Sequence, residues 1–102
     1  MKSQFKDGRL LLRRSADDRK PLIDRLNRIE GQVRGLKAMI ETDRYCGDEL
    51  QQLKAAVAGL RRVAMIVSEE HIAAAAERLS DKERKDEANT DIMQILDEAL
   101  DI

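Results

Sequence analysis

Residues 50–74 read LQQLKAAVAGLRRVAMIVSEEHIAA. Apolar residues and one histidine recur there at alternating intervals of three and four: Leu50, Leu53, Val57, Leu60, Ala64, Val67, His71 and Ala74. This heptad spacing is typical of a helix that packs along one face. A helix of about 30 residues would be about 45 Å long. Because a compact chain of 102 residues cannot cover such a rod with one shorter helix, the stretch predicts self-association into a bundle.

The same spacing precedes this stretch, at Leu22, Leu26, Ile29, Val33, Leu36 and Ile40. We therefore predict helices over about residues 20–42 and 48–79, the second with Asp48 as N-cap. Ser80 and Glu83 fit a capping box that begins a third helix over about 81–101. Residues 1–19 are predicted to be a flexible arm, and residues 20–102 a single helical domain. The fold class is all-α, with a three-helix protomer; a monomeric three-helix bundle is the competing arrangement.

Composition excludes several classes of protein. One Phe, one Tyr and no Trp argue against a β-sandwich, a β-barrel or a single-strand binder that stacks bases. A single Cys and a single His exclude an internal disulfide and a zinc finger built within one chain. No apolar run is long enough for a membrane span, so no membrane is expected as a partner, and we expect the cytoplasm. No nucleophile–base group or Gly-rich phosphate loop is evident, so the chain is not expected to be an enzyme.

The net charge of −1 conceals a division between the two parts of the chain. Residues 1–62 carry 15 basic and 9 acidic side chains, and residues 63–102 carry 4 basic and 11 acidic ones. Such asymmetry suits either a polyanionic partner or attraction between the parts of an oligomer. Five arginines on the first two predicted helices are candidates for phosphate contacts: Arg25, Arg28, Arg34, Arg61 and Arg62. The alternative is a solvated helix flank, neutralised by Asp24, Glu30 and Glu41.

Two glycines lie inside the first predicted helix, Gly31 and Gly35. Each costs about 1 kcal/mol relative to Ala, so we expect them to admit a crossing helix at close range.

Cys46 and His71 are the candidate effector ligands. Cys46 precedes the second helix, whose positive end favours a thiolate, and His71 occupies a core position of the heptad. About 25 helical residues, or about 37 Å, separate them, so they cannot meet within one protomer. In an antiparallel dimer the start of one long helix lies near the end of the other, which would give two equivalent sites. A thiolate with an imidazole suits Cu(I) or Zn(II).

Residues 25–46, RLNRIEGQVRGLKAMIETDRYC, followed by His71, resemble the copper-sensing operon repressor (CsoR) family. The resemblance covers about residues 20–80. It implies an antiparallel dimer with a four-helix core, a disc-like dimer of dimers, and binding to double-stranded operator DNA that ends when an effector binds. It also implies DNA contacts from Arg25 and Arg62. Cys46 and His71 match the family's effector ligands, and Tyr45 a position that supports them.

The resemblance departs from the copper branch at one residue. Copper sensors carry a second Cys four residues after the His, and Ala75 stands there. The nickel or cobalt branch needs further His ligands, the persulfide branch has Cys in place of His71, and the formaldehyde branch has a Pro near its N-terminus. Cu(I) or another transition metal is the favoured effector, with no organic cofactor. The alternatives are a reactive-cysteine sensor of formaldehyde or sulfur species and a helical oligomerisation module without DNA binding.

Overall fold

The computed structural model describes residues 1–102. Its elements are two strands, β1 (Lys2–Lys6) and β2 (Arg9–Arg13), followed by α1 (Ala16–Glu41), α2 (Cys46–Glu77), a 3-10 turn at Arg78–Ser80, and α3 (Lys85–Leu100). The prediction of three helices is confirmed. None of the helices combines the length and the apolar character that crossing a membrane requires.

The chain divides into two compact units. The first unit joins Met1–Asp18 to Ala64–Ile102, and the second consists of Arg19–Val63. The unit boundaries therefore fall inside α1 and inside α2.

The second unit pairs part of α1 with part of α2. Leu22 and Ile29 of α1 and Ala56 of α2 are its buried apolar residues. The helices approach closely at glycines: a Cβ on Gly59 would lie 3.0 Å from Ile29 Cγ1, and one on Gly35 would lie 3.0 Å from Gln52 Nε2. Gly35 thus has the crossing helix that the sequence predicts.

In the first unit, residues 2–13 form an antiparallel β-hairpin within the segment 1–19 that is predicted to be a flexible arm. Asp7 and Gly8 both have positive φ, 52° and 76°, and form the two-residue turn. The strands alternate, so one face of the hairpin carries Phe5 and the buried Leu10. The guanidinium carbons of Arg78 and Arg84 lie 5.8 and 5.5 Å from the centroid of the Phe5 ring.

The helix starts differ from the prediction, most of all at α1 and α3. Ser15 and Asp18 form a reciprocal cap that begins α1 at Ala16: the Asp18 carboxylate accepts from Ser15 N–H, and Ser15 Oγ accepts from Asp18 N–H. The Ser15 backbone N–H thereby lowers the pKa of Asp18. The expected capping box at Ser80 is absent, because Ser80 Oγ bonds back to Glu77 O and α3 begins only at Lys85.

Candidate functional site

Tyr45 and Cys46 lie where the α1–α2 loop becomes α2. The loop, residues 42–45, includes Asp43 in the left-handed region at φ 55°. The backbone N–H groups of Asp48 and Glu49 donate to Tyr45 O, so the helix begins at Cys46, two residues before the predicted N-cap Asp48. Both Tyr45 and the Cys46 thiol are exposed. The thiol is therefore open to a ligand from solvent or from another chain.

His71 lies in the other unit, where an acid of α3 that was not among the predicted site residues holds its ring. His71 Nε2 lies 2.5 Å from Asp91 Oδ2, and the Asp91 side chain is only 4% exposed. A carboxylate accepts hydrogen bonds, so in the neutral ring this contact favours the proton on Nε2 and leaves the Nδ1 lone pair free. A histidine metal ligand typically has its second nitrogen fixed in this way.

The same carboxylate also binds the N-terminal hairpin. Asp91 Oδ1 accepts from the Leu10 backbone N–H at 3.4 Å. Lys6 and Arg9 form the hydrogen-bonded pair that closes the turn, and Leu10 and Phe5 form the next pair, which is not hydrogen-bonded. The Leu10 N–H therefore points away from β1 and is available to Asp91. A second contact is the ion pair between Arg14 Nε and Glu70 Oε2 at 2.9 Å, in which Arg14 follows β2 and Glu70 precedes His71. The hairpin is thus attached to the immediate surroundings of the His71 ring.

A signal for Asp91 exists in the sequence. Asp91 follows the buried Ala88 by three residues and precedes Ile95 by four, so it occupies an apolar position of α3. A charged residue on a buried stripe requires a polar partner. His71 is likewise a polar residue at an apolar position, on the predicted heptad of α2.

The donor atoms of one chain do not complete a metal site. No three side chains of His, Cys, Asp or Glu come together as a possible metal site. Ala75, where copper sensors would supply a Cys, is fully buried. A free thiol and a supported imidazole suit a soft ion such as Cu(I), whereas a closed zinc site needs four ligands. The residues therefore fit Cu(I) by donor type, provided that two chains contribute.

All five candidate DNA-binding arginines lie in the second unit. Arg28 neighbours Ile29, and Arg61 and Arg62 follow Gly59, so the Ile29–Gly59 contact brings these arginines to the same level of the helix pair. None of the five makes an ion pair. Of the acids expected to neutralise them, Asp24 pairs with Lys20 instead, and Glu30 and Glu41 pair with nothing. The arginines are thus free for an external anion.

Two curated proteins are similar to part of this sequence. The chain is 42% identical to the copper-sensing transcriptional repressor CsoR of Bacillus subtilis (strain 168) over 65 residues, which are 64% of each chain. It is 52% identical to the copper-sensing transcriptional repressor RicR of Mycobacterium tuberculosis (strain H37Rv) over 48 residues, 47% of this chain and 50% of RicR. The matches therefore span less than two thirds of either relative.

Two solved structures resemble most of this chain's fold. The copper-sensing repressor CsoR with Cu(I) from Geobacillus thermodenitrificans NG80-2 is 32% identical with a TM-score of 0.77, covering 86% of this chain and 92% of that one. The nickel-responsive transcriptional regulator InrS is 28% identical with a TM-score of 0.74, covering 87% and 97%. The sequence model of the metal-sensitive transcriptional repressor family matches residues 18–101. The chain therefore belongs to the metal-sensitive transcriptional repressor (CsoR) family, a family of repressors and not of enzymes.

Proposed function

We propose that this protein is a cytoplasmic repressor that binds double-stranded operator DNA and leaves it when an effector reaches Cys46 and His71. The observation that carries the proposal is the His71–Asp91 pair, which fixes the ring and leaves Nδ1 free. Family membership and two copper-sensing relatives support a metal effector, and Cu(I) is the ion favoured.

Self-association is part of the proposal. The Cys46 of one protomer and the His71 of its partner would form the site in an antiparallel four-helix-bundle dimer, with a disc-like dimer of dimers as the full assembly. Support comes from the predicted heptad positions of α2, where Leu50, Leu53, Val57 and Leu60 remain exposed in the single chain. When bound, Cu(I) would join a thiolate to an imidazole, held by Cys46 Sγ and His71 Nδ1. Tyr45 adjoins the thiol in sequence and would support it.

The five arginines supply the DNA-binding surface of the proposal. Their guanidinium groups are unpaired in the chain, and a guanidinium can bind two phosphate oxygens at once. Arg25 is half-buried, whereas Arg28, Arg34, Arg61 and Arg62 are exposed.

A second candidate function is a reactive-cysteine sensor on the same fold. The observation in its favour is the alanine at position 75, combined with an exposed thiol at Cys46. In that function formaldehyde or a sulfur species would react at Cys46, and His71 would be less important. A helical oligomerisation module without DNA binding is the remaining alternative.

The test measures the affinity of the purified protein for a DNA duplex from the region upstream of its own gene. Cu(I), Zn(II), formaldehyde and polysulfide are then added in turn to the protein–DNA complex. We expect release by Cu(I), and no release when Cys46→Ser or His71→Ala replaces the wild type. Release by formaldehyde or polysulfide that requires Cys46 but not His71 would establish the second function instead. If the protein bound no duplex, the result would favour the alternative of a helical oligomerisation module without DNA binding.

The arginines are tested in the same assay. Arg25→Gln and Arg62→Gln should each reduce the slope of log affinity against log salt by about one. Arg44→Gln is the matched control, because Arg44 lies in the same unit but already pairs with Asp48 at 3.5 Å. An unchanged slope in the Arg25 and Arg62 variants would exclude phosphate contacts from these residues.

A further inference from the structure

The N-terminal hairpin has two faces of opposite character. Ser3, Phe5, Leu10 and Leu12 alternate onto the face that includes the buried Leu10. Arg78 fixes this arrangement by donating from its guanidinium to Ser3 O at 2.7 Å and to Ser3 Oγ at 3.1 Å. The opposite face is exposed along its whole length. It carries Lys2, Gln4, Lys6, Arg9, Leu11 and Arg13.

The four cations of this exposed face, which we call the cationic face, have no anionic partner. Lys2 lies directly opposite Arg13, and Lys6 directly opposite Arg9. None of the four forms an ion pair, although residues 64–102 of the same unit are rich in acids. Like charges directly opposite each other destabilise a two-stranded ribbon. The hairpin therefore carries a repulsion that a bound polyanion would offset.

The dimensions of the hairpin match those of duplex DNA. Its strands lie about 4.8 Å apart, and Lys2 and Lys6 are about 13 Å apart along β1. The major groove, about 12 Å wide, accepts a two-stranded β-ribbon. The four cations stand at the corners of the cationic face, with Gln4 and Leu11 between them.

We infer that the cationic face is a second DNA-binding surface of this protein, in which Lys2, Lys6, Arg9 and Arg13 contact phosphates of the duplex. This inference rests on the proposed function, since it adds a surface to a DNA-binding protein. It concerns residues 2–13, which lie outside the region matched by the family model.

The test compares two double variants, Lys2→Gln/Arg13→Gln and Lys6→Gln/Arg9→Gln, with the wild-type protein. Their binding to a fluorescein-labelled mixed-sequence DNA duplex is measured over a range of salt concentrations. Each double variant should lose about two units of the log–log salt slope, at about 0.9 per phosphate contact. Its melting temperature should be unchanged or higher, because each substitution removes a repulsion between paired strands. A purely structural role for the four cations would give the opposite pattern, with lower stability and an unchanged slope.

Lys82→Gln/Lys85→Gln is the matched control, because both lysines are exposed and form no ion pair but lie outside the hairpin. A control loss equal to that of the hairpin variants would overturn the inference, since net charge alone would then explain the effect. The inference would also be overturned if the salt slope of the hairpin variants were unchanged while Arg25→Gln and Arg62→Gln still weakened DNA binding. That result would leave the proposed function intact. Failure of the wild type and of every variant to bind DNA would instead reject the proposed function. Binding of wild type, but not of the hairpin variants, to phosphatidylserine vesicles without any effect on DNA would assign the cationic face to a membrane and overturn the inference.

Discussion

Asp91 accepts hydrogen bonds from both His71 and the Leu10 backbone, and the two bonds can be separated by substitution. In Asp91→Asn the side-chain oxygen can still accept from Leu10, but the amide NH₂ faces His71 Nε2. The ring must then accept at Nε2 and carry its proton on Nδ1, which removes the lone pair a metal would use. We expect near-normal stability and an effector response at least about tenfold weaker. Nitrogen NMR shifts of the imidazole report the tautomer directly.

Asp91→Ala is the comparison variant. It leaves the buried Leu10 N–H without an acceptor and should lower the free energy of unfolding by about 1–3 kcal/mol, measured in urea. The free energy of unfolding of Asp91→Asn should decrease much less than that of Asp91→Ala. A normal effector response with the Nδ1–H tautomer would show that Nδ1 is not a ligand.

The candidate site was predictable from the sequence only in part. Cys46 and His71 are identifiable from the sequence because Cys46 lies at the start of a predicted helix and His71 lies at an apolar heptad position. Asp91 was missed because its partner lies 20 residues away, and the pairing depends on how α3 packs in its unit. Periodicity identifies buried positions but not the partners that they meet.

At the scale of elements, the helices follow from heptad spacing, which is a local property of the chain, whereas the hairpin depends on a turn. The Asp7–Gly8 dipeptide is the signal for the hairpin that the sequence offers. A two-stranded hairpin is at best marginal by itself. Its formation therefore depends on Phe5 packing near Arg78 and Arg84 and on the Leu10–Asp91 bond.

The helix pair of the second unit gives a matched glycine test. Gly59→Ala would place a Cβ 3.0 Å from Ile29 Cγ1, and because Ile29 is buried it has little room to move. Overpacking of about 1–3 kcal/mol should exceed the helix-propensity gain of about 1 kcal/mol. Gly31→Ala meets nothing closer than Arg34 at 3.8 Å and should gain about 0.5–1 kcal/mol. Urea unfolding at one fixed protein concentration compares the two. A loss of stability in Gly31→Ala would mean that this face of α1 packs against a second chain.

At the scale of the whole molecule, the exposed apolar residues of α2 determine whether the protein is a monomer or an oligomer. Leu60 is 47% exposed and Leu53 45% exposed in the single chain, although both occupy heptad positions that normally face a partner. A row of exposed leucines on a 32-residue helix is a substantial apolar surface, and covering it supplies a driving force for association.

Leu60→Asp should therefore dissociate the assembly, because it would place a carboxylate without a counter-charge in the middle of that surface, in every chain at once. Light scattering at micromolar concentration should give a multiple of 11.6 kDa for the wild type and about 11.6 kDa for the variant. Gln51→Asp is the control, since Gln51 is an exposed residue of α2 outside the heptad positions, and it should leave the mass unchanged. If Cys46 of one protomer and His71 of its partner hold the effector, Leu60→Asp must also abolish effector binding while each chain keeps its helical circular dichroism. A monomeric wild type, or a dissociated variant that still binds effector at full strength, would contradict the shared site.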